Sequence, residues 1–204
     1  RHGNTGVHLS RSEMEADNIT LENIDQYGVY SNGGSFNLTD SIFKDNGEYD
    51  IYTQRDFIGN ITGNVFDHIV RINPENLATI TASNGFKKSA VMELTGGTIE
   101  TDTVIPDGMT CRVTHNVFIA GTDGPDGVTT LTVEPGATLS FNQAMTLQVA
   151  DETLPGSLVV NGTRERPVRF TSDQLLPEPV DYWGGIVFKQ NSENSLLDHT
   201  VVEY

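Results

Sequence analysis

The feature that most restricts the fold of this chain is a motif that recurs every 22 residues near its beginning. The motif occurs as Gly6-Val7-His8, Gly28-Val29-Tyr30 and Asp50-Ile51-Tyr52. A second motif, Asn-x-Thr with an apolar middle residue, begins at Asn18, Asn37 and Asn60. Such a period, with β-branched segments and no helical spacing of apolar residues, predicts a parallel β-solenoid. An antiparallel sandwich, with turns every 8 to 12 residues or so, would not produce this recurrence.

In a solenoid of this kind, each coil contributes about three short strands, and each strand pairs with its equivalent about 4.8 Å away in the next coil. Residues at equivalent positions therefore form columns. We expect Tyr30 to stack on Tyr52, and the asparagines of the second motif to form an amide ladder at a coil corner. At about 22 residues per coil, the chain supplies roughly nine coils. The predicted fold class is all-β.

The chain changes character along its length. Residues 1–70 are predicted to form regular coils, and residues 71–100 an irregular coil or lateral loop, because the spacing loosens and Pro74 interrupts it. Residues 101–204 are predicted to form coils of a second repeat unit within one continuous solenoid. A short helical cap over residues 11–16 is the one helix that the apolar spacing allows.

The second half of the chain carries motifs made of strands and of turns that contain Pro or Gly. They are Val133–Phe141, Leu158–Thr163, Arg166–Ser172, Trp183–Phe188 and Asp198–Tyr204. In this order they resemble the right-handed parallel β-helix repeat domains of secreted and surface-attached bacterial proteins, which have pectate-lyase-like folds. The resemblance implies a right-handed coil and an extracellular location, either secreted or attached to the cell surface. Its motifs are turns and inward strand residues, so they are specific for fold and weak for activity.

Two further observations concern partners. Asp198–Tyr204 is similar to Thr20–Tyr27, so we expect the chain to be one unit of a tandem or end-to-end array, with neighbouring β-helix units as partners.

The chain has 28 acidic and 12 basic residues and a net charge of −16, which repels nucleic acid. No segment has the roughly 18 apolar residues of a membrane helix, so no membrane insertion is expected. Cys111 is predicted to be a buried structural thiol.

Acidic residues are the candidates for catalysis, because parallel β-helices include polysaccharide lyases and hydrolases. Asp45 and Asp67 occupy similar places after a coil strand, and His68 adjoins Asp67. Aspartates at turns more often accept local backbone hydrogen bonds, which is the favoured interpretation here. Arg164–Arg169 is only superficially similar to the Arg-x-Pro-x-x-Arg pattern of pectate lyases, and it matches the structural turn of the β-helix family. The hydrolase motifs Asn-Thr-Asp, Asp-Asp and Gly-His-Gly are absent.

Ligand sites have weaker candidates. Asp123 and Asp126 lie in a glycine-rich loop whose oxygen atoms suit Ca²⁺, although a plain turn is the favoured interpretation. No other cofactor is indicated. Tyr49, Tyr52 and Trp183 are candidates for glycan binding, but Trp183 is interpreted first as a packing residue at a coil corner.

The sequence therefore predicts an extracellular structural or surface β-helix module without catalysis, acting as a scaffold, in adhesion or as a self-assembling tandem or filament unit. The alternative is a carbohydrate-active β-helix that uses its acidic turn residues. It would be similar to a polysaccharide lyase or glycoside hydrolase, or it would bind glycans.

Overall fold

The computed structural model describes residues 3–54, 59–174 and 182–204. It is all-β and built of parallel sheets. The chain divides into two compact units. The first unit comprises Arg1–Ile72 with Thr79–Glu93, and the second unit comprises Asn73–Ala78 with Leu94–Tyr204.

The first unit is built from short strands that belong to three sheets. The strands are β1 (Thr5–Leu9), β2 (Ser12–Asp17), β3 (Thr20–Glu22), β4 (Tyr27–Ser31), β5 (Gly34–Thr39), β6 (Ile42–Lys44), β7 (Tyr49–Thr53), β8 (Ile61–Thr62), β9 (Val65–Phe66), β10 (Ile69–Ile72), β11 (Gly85–Phe86) and β12 (Val91–Leu94). The sheet orders are β1-β4-β7-β10-β12, β2-β5-β8 and β3-β6-β9-β11. The chain thus runs through all three sheets in turn and then begins again, adding one strand to a sheet at each passage, as in a solenoid. We call one passage a coil.

The register confirms the first repeated motif. Val7 pairs with Val29, and Val29 pairs with Ile51, so the 22-residue period holds across β1, β4 and β7. Val29 and Ile51 are fully buried, and they begin an inward column that forms part of the core. Phe43 and Phe66 form a second buried contact, with ring centroids 5.1 Å apart.

The predicted asparagine ladder is wrong in part. Asn37 pairs with Glu15 across β2 and β5, and the Asn60 backbone N–H donates to Asn37 Oδ1 at 2.9 Å. Asn18 lies outside this column, because it follows β2 and its backbone N–H donates to Thr39 O. Its φ of 53° places it in a turn. The Asn-x-Thr triplet therefore occurs at two different positions of the coil.

A different ladder of polar side chains occupies the corner between β2-β5-β8 and β3-β6-β9-β11. The backbone N–H of Ile19 donates to Ser41 Oγ at 3.1 Å, that of Ser41 to Asn64 Oδ1 at 2.9 Å, and that of Asn64 to Asn84 Oδ1 at 2.9 Å. Ser41 and Asn64 are buried. Each side chain thus accepts from a backbone donor of the preceding coil, which would otherwise be buried without a partner. We call these residues the corner ladder.

The chain between β10 and β11 is helical. A 3-10 turn over Pro74–Asn76 leads into α1 (Leu77–Ser83). At the end of the helix, Ser83 O accepts the Gly63 backbone N–H at 2.7 Å, and Asn84 Nδ2, just after it, donates to Ile61 O at 2.7 Å. The helix thus comes at the point of the coil where β2, β5 and β8 occur in the earlier coils. The helical cap predicted over residues 11–16 is wrong, because β2 alternates there between exposed and half-buried side chains.

The second unit also has three parallel sheets. Its strands are β13 (Gly97–Ile99), β14 (Thr103–Ile105), β15 (Thr110–Val113), β16 (Val117–Ile119), β17 (Thr129–Val133), β18 (Thr138–Phe141), β19 (Thr146–Val149), β20 (Gly156–Asn161), β21 (Val168–Ser172), β22 (Gly185–Phe188), β23 (Leu196–Asp198) and β24 (Thr200–Val202). The orders are β15-β18-β21-β24, β13-β16-β19-β22 and β14-β17-β20-β23. Ile105 pairs with Val133, which lies further along the chain than the 22-residue period would place it. The period of the first unit does not extend to this pairing.

The core of the second unit includes a buried column of Cys111, Leu139 and Phe170. Cys111 is confirmed as a buried thiol. Burial raises the pKa of Cys111 to about 12, so the thiol stays protonated and unreactive at neutral pH. Within the described residues, no helix has the length and apolar character needed to cross a membrane.

Candidate functional site

Four tyrosines lie together on the outer face of the first unit. The strand β4 carries Tyr27 and Tyr30, and β7 carries Tyr49 and Tyr52. In both strands the two residues between the tyrosines are buried and the tyrosines are half-buried. Tyr27 pairs with Tyr49 and Tyr30 pairs with Tyr52, so the rings form two columns. We call these four residues the tyrosine array.

A glycine sits directly behind the array. A Cβ atom at Gly28 would lie 2.7 Å from the backbone oxygen of Asp50 and 2.9 Å from the Phe43 ring. A side chain at this position would therefore push β4 away from β7 or displace the core. Gly28 allows the close approach of the two strands that holds the tyrosine rings in contact.

The rings of the array contact one another through their faces and edges. Tyr30 and Tyr52 are almost parallel, with an interplanar angle of 6° and ring centroids 5.5 Å apart, which confirms the predicted stack. Tyr27 and Tyr49 are also stacked, at 5.9 Å and 29°. Tyr49 meets Tyr52 edge to face at 4.9 Å. Aromatic pairs of this kind are each worth about 0.5–1.5 kcal/mol beyond the area they bury, so the array stabilises the pairing of β4 with β7.

Charged and polar side chains flank one column. His8 packs edge-on against Tyr30 at 4.9 Å, and the Arg71 guanidinium lies over the Tyr52 ring at 4.9 Å from its centroid. Arg71 also forms an ion pair with the buried carboxylate of Glu93. Both outer faces of the Tyr30–Tyr52 stack are therefore occupied by side chains of the same unit.

Two hydroxyl groups of the array have defined acceptors. The Tyr30 hydroxyl donates to Gln54 Oε1 at 2.8 Å, and the Tyr49 hydroxyl lies 3.4 Å from each carboxylate oxygen of Glu93. Burial, followed by the charge of Glu93, raises the pKa of Tyr49 above its usual value. The Tyr49 phenol is therefore protonated and acts as a donor at neutral pH.

The candidate catalytic residues lie near one another, but each makes structural contacts. The Asp67 carboxylate binds Lys87 Nζ at 3.0 Å and Ser89 Oγ at 2.9 Å, and the hydrogen bond from Lys87 holds the pKa of Asp67 below its usual value. The His68 ring donates through Nε2 to Gly47 O at 2.8 Å. Asp45 has a φ of 51° in an exposed turn, and its carboxylate lies 3.9 Å from Lys44 Nζ.

A buried carboxylate that the sequence interpretation did not select organises this region. Asp50 is fully buried, and its Oδ2 accepts the backbone N–H groups of Asp67 and His68, each at 2.7 Å. Its Oδ1 accepts from Asn46 Nδ2 at 2.9 Å. Burial raises the pKa of Asp50, although these hydrogen bonds act in the opposite direction. One signal could have identified Asp50: the other two copies of the first motif have glycine, Gly6 and Gly28, at its position.

The calcium candidates act as turn acceptors. Asp123 Oδ2 accepts the Asp102 backbone N–H at 2.8 Å, and Asp126 Oδ1 accepts the Val128 backbone N–H at 3.1 Å. Among residues 3–54, 59–174 and 182–204, no group of three or more His, Cys, Asp or Glu side chains is arranged to hold a metal ion. Asp126 thus bonds two residues along the chain, as in an Asx turn, and Asp123 connects its loop to another coil.

Two further candidates lie in the second unit. Trp183 is 7% exposed, stacks on Phe141 with centroids 4.3 Å apart, and donates through Nε1 to Glu203 O at 3.0 Å. Trp183 therefore packs against side chains and backbone of its own unit. Arg166 binds both carboxylate oxygens of Asp107, and its Nη2 donates to Pro135 O at 3.2 Å. Arg166 therefore connects turns of different coils, in agreement with a structural role.

Comparison with known proteins adds no relative. No family model matches the chain, and no curated protein or solved structure matches it either. The arguments about function therefore depend on the contacts described above.

Proposed function

We propose that this chain is a non-catalytic structural module of the right-handed parallel β-helix type, secreted or attached to a cell surface. In this proposal it has roughly nine coils, of about 22 residues in the regular region. The observation that carries the proposal is that most candidate side chains of the first unit contact other coils of the same chain, namely those of Tyr49, Tyr52, Asp67 and His68. Such contacts stabilise the stack of coils, as a scaffold requires.

The carboxylates do not have the properties of a glycosidase pair. Hydrolysis of a glycosidic bond uses one carboxylic acid with a raised pKa and a second carboxylate that is free to act as base or nucleophile. Asp67 has a lowered pKa, and its oxygens are bound by Lys87 and Ser89. Asp50 has a raised pKa, but it is fully buried and bonded to backbone groups, so a polysaccharide has no access to it.

The aromatic candidates favour a structural role over glycan binding. A sugar ring that packs on an aromatic residue needs an open ring face. Tyr52 has Tyr30 on one face and Arg71 on the other, and Trp183 is buried against Phe141. The array therefore supports the pairing of coils more directly than it supports a sugar site.

Neighbouring β-helix units are the partners in this proposal. The strands β22, β23 and β24 are the last strands of their sheets in the second unit. They carry exposed apolar side chains, including Phe188, Leu196 and Val202. Edge strands offer backbone groups to another strand, and apolar side chains add area to such a contact. Sedimentation velocity over a range of concentrations tests this, since L196K should weaken any self-association that uses this edge.

The catalytic alternative is tested with a panel of acidic and neutral polysaccharides, assayed for unsaturated and reducing ends with and without Ca²⁺. We expect no turnover by the intact chain. Turnover that D45N or D67N abolishes, while the exposed control E48Q retains it, would overturn the proposal. Circular dichroism of each variant separates loss of activity from loss of fold.

A further inference from the structure

We propose that the tyrosine array is a site of oxidative cross-linking, at which a peroxidase-type one-electron oxidant joins β4 to β7 through a dityrosine bond. The chain contains six tyrosines, and four of them belong to the array. This inference goes beyond the proposed structural role and does not depend on it.

The geometry favours coupling between coils. The Tyr30 and Tyr52 centroids lie 5.5 Å apart, and those of Tyr27 and Tyr52 lie 5.2 Å apart. The backbone positions are fixed, since Tyr30 pairs with Tyr52 in a parallel register. The χ2 torsion of tyrosine is broad, so the two rings can rotate from their stacked contact towards an edge-to-edge approach. Two reactive groups held in this way couple much faster than the same groups on separate molecules.

The reaction balances with hydrogen peroxide as the terminal oxidant. Each of two phenols loses one electron and one proton and becomes a tyrosyl radical. The radicals join through a new carbon–carbon bond between ring carbons ortho to the hydroxyl groups, and the two ring protons at these carbons move to the oxygens and restore both phenols. Overall, two hydrogen atoms leave the protein, and one peroxide is reduced to two molecules of water.

The array also provides acceptors for the phenolic protons. The Tyr49 hydroxyl faces the carboxylate of Glu93, and the Tyr30 hydroxyl donates to Gln54. A carboxylate beside a phenol accepts its proton as the electron leaves, so no charged phenol radical has to form at a half-buried site. The half-buried position of the rings still leaves them open to small oxidants and to long-range electron removal.

The two remaining tyrosines serve as an internal comparison. Tyr182 and Tyr204 belong to the second unit and are 41% and 54% exposed. Their centroids lie 6.4 Å apart at an interplanar angle of 46°. If exposure controlled the reaction, these residues would react first and mainly between molecules. If the fixed contact of the rings controls it, the array reacts first and within one chain.

The experiment treats the full chain, at low protein concentration, with a haem peroxidase and hydrogen peroxide. We expect dityrosine fluorescence in the monomer band of a denaturing gel and a mass lower by two hydrogen atoms. Peptide mapping should find a peptide of β4 linked to a peptide of β7. Because the Phe side chain keeps the rings but lacks the phenol, Y30F/Y52F should lower the yield of intramolecular link several-fold. The variant Y27F/Y30F/Y49F/Y52F should abolish it.

The matched control is Y182F/Y204F, which should keep the full intramolecular yield. Circular dichroism and thermal unfolding of each variant verify that the fold is retained. Three results would overturn the proposal: no dityrosine in the monomer, dityrosine that maps to Tyr182 and Tyr204, or a yield that the fourfold Phe variant does not change.

Discussion

The first unit and the second unit differ in what lies at the corners of their coils. In the first unit, buried side chains of the corner ladder accept backbone N–H groups from the preceding coil. In the second unit, turns bond directly to turns: the Gly108 backbone N–H donates to Pro135 O, and that of Gly136 donates to Arg166 O, both at 3.0 Å. Both glycines have positive φ values, 68° and 75°. The corner ladder thus stacks coils through side chains, and this corner of the second unit stacks them through backbone turns. Elsewhere in the second unit side chains also accept across coils, as Asp123 does from the Asp102 backbone N–H.

The two kinds of corner place different demands on the length of a coil. A ladder of corner side chains requires an acceptor at nearly the same place in every coil, which keeps the coil length almost constant. Turns that bond through their backbone need only a tight conformation with glycine in the left-handed region. The chain can then lengthen before or after the turn, as it does in the loop of Asp123 and Asp126 between β16 and β17.

The largest expected effect comes from removing an inward side chain of the second unit. Phe141 is fully buried and stacks on Trp183, so F141A should lower the free energy of unfolding by about 4 kcal/mol. Denaturant unfolding measures the loss, and the rate at which a thiol reagent labels the buried Cys111 should rise with it. The control F118A removes a half-buried ring from β16 of the same unit and should cost much less. Equal losses would contradict the importance of the inward column.

The next effect concerns the corner ladder of the first unit. Asn64 accepts the Ser41 backbone N–H and donates to Leu38 O at 2.8 Å, so N64A leaves two buried backbone groups without these partners. We expect a loss of about 3 kcal/mol. The matched control is N60A, since Asn60 is exposed and its side-chain amide donates to Thr62 Oγ1 at 3.4 Å. If N64A is as stable as N60A, the amide side chains of the corner ladder do not stabilise the stacking of the coils.

Periodic features of the fold could be predicted from the sequence because parallel register repeats them. The column of Val7, Val29 and Ile51 and the stack of Tyr30 on Tyr52 both follow from one period. The corner ladder was missed because its members, Ser41, Asn64 and Asn84, are not one residue type and not equally spaced. The chemistry of a hydrogen-bond acceptor is preserved there while the residue identity is not.

The candidate site was predicted only in part for a related reason. Tyr49 and Tyr52 belong to a visible repeat, but Arg71 and Glu93, which flank them, come from β10 and β12, where the spacing loosens. Asp50 was missed because a carboxylate in an inward position contradicts the apolar pattern of the strand. Burying this carboxylate costs free energy, and the hydrogen bonds from the Asp67 and His68 backbone N–H groups of the next coil offset that cost. Such partners are set by tertiary contacts and have no local signal.

The smallest expected effect is the pH dependence of a link between coils of the first unit. Lys87 holds the pKa of Asp67 below its unfolded value, which is about 3.9. A lowered folded pKa contributes stability above the unfolded pKa, and this stability is lost as the pH falls through the folded pKa. K87M should therefore lower stability slightly at neutral pH, by less than about 1 kcal/mol because the pair is partly exposed, and should flatten the loss in acid.

The measurement is the denaturation midpoint of wild type and variant from neutral pH down to about pH 3, a range that covers the titration of aspartate. K88M is the control, since Lys88 is the exposed neighbour of Lys87 and carries the same charge. The raised pKa of Asp50 has the opposite sign, so its contribution falls as the pH rises. That contribution is common to wild type and both variants and cancels in the difference. K87M and K88M could also change the fall of the midpoint at low pH by the same amount. That result would show that net charge, and not the contact with Asp67, controls the pH dependence of stability.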